Sequence, residues 1–286
     1  MASRGLASGR RAATILLLPV VAIVFVGYVL PGLVLLAMSF GIVPARPSWS
    51  QFTLEHYERL LSDVYYARII GYTLLFGLIV ATITAIIAFP VGYYLARSRS
   101  RLTSVYAVVT FTPLAVGMNM LTLGWMIILS RTGFVNSFLT GTGLVAEPLY
   151  LLYGWGAVVV GMVHVTFTFM VLPIEAVVRQ IDPALEKAAR TLGAGKLRVF
   201  WEVVLPLSLQ GIAAGFLIVF LQVCGAFVLP LLMGGQGFTV VPIAIWEQIT
   251  ASSDRPFAST LSITLILVSL LVMILQLRLA RGKDLV

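Results

Sequence analysis

Side chains able to do covalent or acid–base chemistry are few in this 286-residue chain. Cys224 is its only cysteine and cannot form an internal disulfide. Two histidines, His56 and His164, are too few for a metal site. His164 lies in the apolar stretch HVTFTF, where the plainer reading is an interhelical hydrogen bond and the alternative a ligand or proton relay. The segment GAGKL resembles part of a phosphate-binding loop, but Arg190 stands where that loop needs its first glycine and Leu197 where it needs Ser or Thr. ATP is therefore not bound by this motif, and without a nucleophile, metal cluster or carboxylate pair the chain reads as non-catalytic. What stands out instead is the charged stretch LEKAARTLGAGKLRVFWEVVLPLSLQGI, Leu185 to Ile212, in an otherwise apolar chain. Its chemistry is that of recognition.

The elements that must position this stretch follow from composition. With 60% hydrophobic and 10% charged residues, the chain lacks the polar side chains to cover a water-soluble surface. Residues 1–286 read as one all-α membrane domain. Six apolar blocks, each of about 20 residues or more, can cross a hydrocarbon core about 30 Å thick as helices. They run near Ile15 to Phe40, Ile69 to Leu95, Val105 to Leu129, Leu151 to Ile174, Leu209 to Leu232 and Leu261 to Leu279. β-strand spans would be shorter and would alternate in polarity. The first block continues well past the length of a signal-peptide core, which predicts a retained span, with kinks at Pro19 and Pro31 accommodated by neighbouring helices.

Orientation follows from the basic residues, which stay cytoplasmic. Arg4, Arg10 and Arg11, then Arg97, Arg99 and Arg101, then Arg179, Lys187, Arg190, Lys196 and Arg198, and finally Arg278, Arg281 and Lys283 all fall on one side. Only Arg46, Arg59, Arg68, Arg131 and Arg255 fall on the other. Both termini and the charged stretch are then cytoplasmic. The net charge of +8 reflects topology and not nucleic-acid binding, because it is divided among loops. On the outer side, SQFTLEHYERLLS predicts a surface helix with Leu54, Tyr57, Leu60 and Leu61 on one face, and a shorter helix is expected over Ile243 to Ile249.

Within the cytoplasmic segment 182–206, Asp182 suits an N-cap and Pro183 the first helical position. Glu186 complements the positive helix end. Leu185, Ala188, Ala189 and Leu192 follow helical spacing and form a narrow apolar face. Gly193 can end that helix in the left-handed conformation. A second stripe, Leu197, Phe200, Trp201 and Val204, leads to Leu205, Pro206 and the fifth span. Residues alone leave two readings open: a surface-bound amphipathic pair or a docking element.

The spacing of Ala188, Ala189, Gly193, Val203, Leu205 and Pro206 resembles the cytoplasmic loop of ABC importer permeases, whose pattern is Glu-Ala-Ala, three residues, Gly, nine residues, an aliphatic residue, one more, then Leu-Pro. Lys187 stands at the glutamate position, with Glu186 one residue earlier; the apolar and glycine positions that shape a docking surface are kept. The resemblance covers essentially all six spans and implies the type I importer permease fold. It implies that Leu185, Glu186, Lys187, Ala188, Ala189, Leu192, Gly193, Phe200, Leu205 and Pro206 form coupling helices seated in a separate ATPase subunit dimer. ATP and Mg would belong to that dimer, and this chain would hold no cofactor. The implied assembly adds a second, related permease and a periplasmic binding protein in a bacterial inner membrane.

GAFVLPLLMGG, RPFASTLSI and FMVLPIEAVVRQIDP resemble the spermidine/putrescine branch, although Leu229 stands where that branch has threonine. Related branches carry ferric iron, aminoethylphosphonate or opine-like solutes. A polycation favours carboxylates or aromatic faces on its route. Asn119, Trp125, Gln222, Trp246 and Glu247 are the candidate pathway residues, each with a packing or interface-anchoring alternative. An ion-coupled secondary transporter is the competing class, and the sequence lacks the inverted repeats and buried titrating groups such a protein would carry.

Overall fold

The computed structural model describes residues 18–43, 51–100 and 102–281, and its regular elements are all helical. Expectations for Arg4, Arg10, Arg11, residues 15–17, Arg46, Arg101 and Lys283 lie outside the described residues. Two compact units are present: one drawn from Met1–Ala67 and Ile245–Ile266, the other from Arg68–Ala244 and Leu267–Val286.

Among the described residues, five helices are long and apolar enough to cross a membrane. They are α1 (Leu18–Ser39), α3 (Val64–Arg97), α7 (Trp155–Gln180), α9 (Lys196–Cys224) and α12 (Arg255–Arg281, apolar through Gln276). At about 1.5 Å per residue, the 34 residues of α3 extend about 51 Å, well beyond a core of about 30 Å. At least one of its ends therefore projects beyond the hydrocarbon. Two of these helices contain a wide π turn just before a proline: Phe25–Val29 before Pro31, and Phe200–Val204 before Pro206. In each, the N–H that follows the turn reaches back five residues, Leu30 to the Phe25 carbonyl and Leu205 to the Phe200 carbonyl. Each wide turn thus directly precedes a proline, which has no N–H with which to continue the helical bonding.

The third apolar block is not one straight helix. Val105 to Leu129 is divided between α4 (Leu102–Ala115) and α5 (Met118–Leu129), and the chain bends by 103° at the break. Pro113 removes a donor in the last turn of α4, and Gly117, at φ −18° and ψ 143°, lies outside the helical region. Counted as one broken span, this pair is the sixth. The short α6 (Phe134–Gly141) follows.

In the larger unit α3, α7 and α9 form the core, and glycines set how closely they approach. A Cβ on Gly211 would lie 2.8 Å from the Pro173 carbonyl and 3.0 Å from Val177 Cβ, while one on Gly215 would meet Met170 Sδ at 2.7 Å. Gly92 meets Ile174 in the same way, and Gly77 meets Phe220 and Cys224. Phe76, Met170, Ile174 and Phe220 fill the space between them. The Thr168 hydroxyl ties α7 to α4 through the Thr110 carbonyl. After α9 the chain breaks at Gly225–Phe227 and continues as α10 (Val228–Met233), which packs on α7.

In the other unit the predicted surface helix is α2 (Glu55–Ser62). The Tyr57 hydroxyl lies 2.8 Å from Ser39 Oγ, and Phe40 stacks between Phe52 and Tyr57. Arg59 pairs with Asp254 at 3.0 Å and covers the buried Phe257 ring. Of the face expected for α2, Leu60 is buried and Tyr57 half-buried, whereas Leu54 and Leu61 are exposed. A single helical stripe cannot distinguish a face covered by its own chain from one left for lipid or a partner. The outer helix expected over Ile243 to Ile249 is α11 (Val241–Thr250).

Candidate functional site

The charged segment folds as α8 (Pro183–Thr191), a short joint and the start of α9. Asp182 Oδ1 accepts the Ala184 N–H at 2.8 Å, and Pro183 occupies the first turn, where no donor is lost. Gly193 closes α8 at φ +88°, with its N–H on the Arg190 carbonyl and that of Ala194 on the Ala189 carbonyl. A Cβ at Gly193 would meet open space, so the backbone angle alone favours glycine there.

The side of α8 turned into the protein carries Glu186. It is 7% exposed, and the Tyr93 hydroxyl donates to its Oε2 at 2.7 Å. Arg97 Nε donates to Oε1 at 2.9 Å. Arg97 Nη2 lies 2.9 Å from the same oxygen but off hydrogen-bonding geometry, so the pair is a strong single fork rather than a two-armed one. Sequence reasoning assigned Glu186 to the helix dipole and to the coupling face, and used Arg97 for orientation, but linked neither to the other nor to Tyr93. A signal was present: α3 ends in an arginine on the side where the loop offers an acid.

The apolar face points outward. Leu185, Leu192, Leu197 and Trp201 are 49%, 89%, 76% and 62% exposed. Lys187, Ala188 and Pro206 are also exposed, Ala189 and Leu205 are half-buried, and Phe200 lies edge-on to Phe89 with centroids 5.4 Å apart. Val199 and Val204 anchor the start of α9 in the core. Between α8 and α9 lies a groove of about 310 Å³ that Tyr93, Glu186, Arg190, Lys196, Leu197 and Phe200 help to line. The arrangement offers a rigid, two-helix apolar corner fixed to α3 by a buried ion pair.

A second cavity, about 360 Å³, lies where the two chain breaks converge, the α4/α5 bend and the Gly225–Phe227 break. Gln222, Thr166, Phe169, Phe227, Met118 and Met162 are among its walls, and no acidic, basic or histidine side chain lines it. The Thr166 hydroxyl donates to the Met162 carbonyl at 2.7 Å, which leaves its oxygen lone pairs able to accept. Of the candidate pathway residues, Gln222 lines this cavity, and Asn119 is exposed one residue beyond the lining Met118. Trp125 Nε1 donates to His164 Nδ1 at 2.9 Å, an interhelical bond between α5 and α7. Trp246 and Glu247 are exposed on α11 in the other unit. Among the described residues no group of three His, Cys, Asp or Glu side chains is placed to hold a metal.

Residues 5–284 match the family model of the binding-protein-dependent transport system inner membrane component. The chain is similar to the spermidine/putrescine transport system permease protein PotB of Escherichia coli (strain K12), 31% identical over 230 residues, which are 80% of this chain and 83% of the other. Its identity to the PotB of Haemophilus influenzae is 30% over 247 residues, 86% of each chain. The ferric transport system permease protein FbpB of Actinobacillus pleuropneumoniae is 29% identical over 79% of this chain, but only 33% of that protein is covered. Among solved structures, a chain of the bacterial alginate ABC transporter in complex with alginate pentasaccharide-bound periplasmic protein superposes with a TM-score of 0.80, over 96% of both chains at 17% identity. At that identity the likeness establishes the fold, that of a type I importer permease. The chain belongs to the family of binding-protein-dependent transport system inner membrane components, the permease subunits of ABC importers.

Proposed function

We propose that this permease forms half of an ATP-driven import pathway for a polyamine such as spermidine or putrescine. A separate ATPase dimer, binding ATP and Mg, would move it through the α8–α9 corner. A second, related permease would complete the pathway, a periplasmic binding protein would deliver the solute, and both termini would face the cytoplasm. The observation that carries the coupling role is the exposed apolar corner held to α3 by Glu186 and Arg97. Displacement applied to a corner so anchored passes to a membrane helix instead of being lost in a flexible loop. Work then comes from an ATPase that binds the corner differently in its nucleotide states, since equal binding would shift nothing.

The polyamine assignment draws its support from the PotB relatives and from the cavity chemistry. Gln222 supplies an acceptor for ammonium hydrogens, and Phe169 and Phe227 supply ring faces, each cation–π contact contributing about 0.5–2 kcal/mol. Ferric iron, a hard cation, would call for oxygen-ligand clusters that this wall lacks. The test is uptake of radiolabelled spermidine into proteoliposomes carrying this chain with its ATPase, second permease and binding protein. ATP-dependent accumulation that survives collapse of ion gradients is expected. Accumulation that follows the gradient, or uptake of another solute class in place of polyamines, would sink the assignment.

A further inference from the structure

We infer that the α8–α9 corner is a cationic docking surface, and that the ATPase face it meets presents carboxylates. The inference rests on the coupling reading above and adds the partner's charge to it. Segment 182–206 carries three acids against four bases, and the fold engages each acid within the chain, burying only Glu186. Glu186 is turned inward, neutralised by Arg97 and hydrogen-bonded by Tyr93. Asp182 caps α8 with its carboxylate oxygen on the Ala184 N–H. Glu202 is held by Arg198 one turn away, with both Oε atoms within 3.0 Å of Arg198 Nε. Lys187, Arg190 and Lys196 remain, and none of them makes an ion pair among the described residues. Arg190 and Lys196 line the groove between the two helices together with the apolar Leu197 and Phe200.

These cations alternate with the exposed Leu185, Leu192, Leu197 and Trp201, the side chains that give a docking surface its apolar contact. A partner that covers those apolar groups also takes the three cations out of water. Burying an unpaired ammonium or guanidinium is strongly unfavourable, so the partner must bring opposite charge. Complementary charge would also speed encounter and fix register. An anionic lipid surface could satisfy the cations, but it would offer no shaped protrusion to enter the groove or match its apolar wall.

The test uses the full-length permease in phosphatidylcholine nanodiscs and the ATPase that copurifies with it, identified by ATP hydrolysis and then titrated back. Binding is measured at about 50 mM and about 500 mM salt, where screening lengths differ severalfold. The variants are Lys187→Glu with Arg190→Glu, Lys196→Glu alone, and Leu192→Asp. Hydrogen exchange across α8 and α9 checks that each variant keeps its fold, and Lys187→Gln with Arg190→Gln serves if a reversal does not. The expected result is about tenfold or greater weakening by either charge reversal at low salt, shrinking at high salt. Leu192→Asp should weaken binding at both. If Leu192→Asp releases the ATPase while the charge reversals leave binding unchanged or tighten it, the carboxylate inference is overturned and the coupling reading stands. If neither class affects binding, the coupling reading fails and takes the inference with it. If the reversals change only association with phosphatidylglycerol vesicles, the cations serve lipid and the inference is overturned.

Discussion

Replacing Glu186 by alanine should free α8 from the body of the permease without unfolding it. The side chains of Arg97 and Glu186 are 16% and 9% exposed, so removing the acid leaves a largely buried guanidinium without its counter-charge. Breaking such a pair costs about 3–5 kcal/mol, and the poorly aligned Arg97 Nη2 places this one at about 3 kcal/mol. The Tyr93 hydroxyl loses a charged acceptor in the same step, but the three groups act as one network and the losses do not simply add. At about 1.4 kcal/mol per decade, local opening of α8 should become about two decades more frequent. Deuterium exchange followed by mass spectrometry reads this directly, with peptides over residues 184–192 as reporter and peptides from the middle of α7 as control. Glu186→Gln keeps the volume and an acceptor for Tyr93, so it should give a smaller acceleration. An α8 acceleration under threefold in the alanine variant would refute the anchoring argument. Equal acceleration in α7 would show that the pair supports the whole unit and not the corner.

Five further substitutions, at four positions, have expected outcomes. Gly211→Val places carbon against the Pro173 carbonyl and Val177, neither of which can give way easily; about 1–3 kcal/mol should be lost, seen as a lower melting temperature in detergent. Gly124→Ala, with open space around it in a helix interior, should raise or leave that temperature, and similar behaviour of the two variants would contradict the close α7–α9 approach. Gly193→Ala should cost about 1 kcal/mol from its positive φ and Gly193→Asn less, so α8 exchange should rise more for alanine; equal effects would mean the left-handed angle is not what glycine supplies. Gln222→Leu should raise the KM for spermidine uptake about tenfold by removing a hydrogen bond to a charged group, and an unchanged KM would remove Gln222 from the pathway.

The membrane class and most of the spans were legible because a helix in hydrocarbon must satisfy its backbone internally, which requires long apolar runs that composition records directly. Proline was a weaker guide. Pro90 and Pro173 lie inside α3 and α7, which run on unbroken, while Pro113 lies beside a 103° bend. The difference is the non-helical Gly117 four residues on and the tertiary packing around each proline, neither of which apolar periodicity weighs. Spacing alone assembled the pattern from Ala188 to Pro206. In the cavity, Gln222 sits beside residues from four helices, a grouping that no local window contains.

By itself the sequence determined that this chain lives in a membrane, that its charge gathers in one set of loops, and that segment 182–206 is a capped, two-part helical element. These properties depend on transfer free energy and on interactions within a few turns of chain. Tertiary structure decided which way that element faces. Helical spacing separates Leu185, Ala188 and Leu192 from Glu186 but does not say which side the protein covers. Arg97 and Tyr93, 89 and 93 residues earlier in the chain, draw the acid inward and leave the leucines and lysines outside, because a buried carboxylate requires partners that only the folded chain can bring.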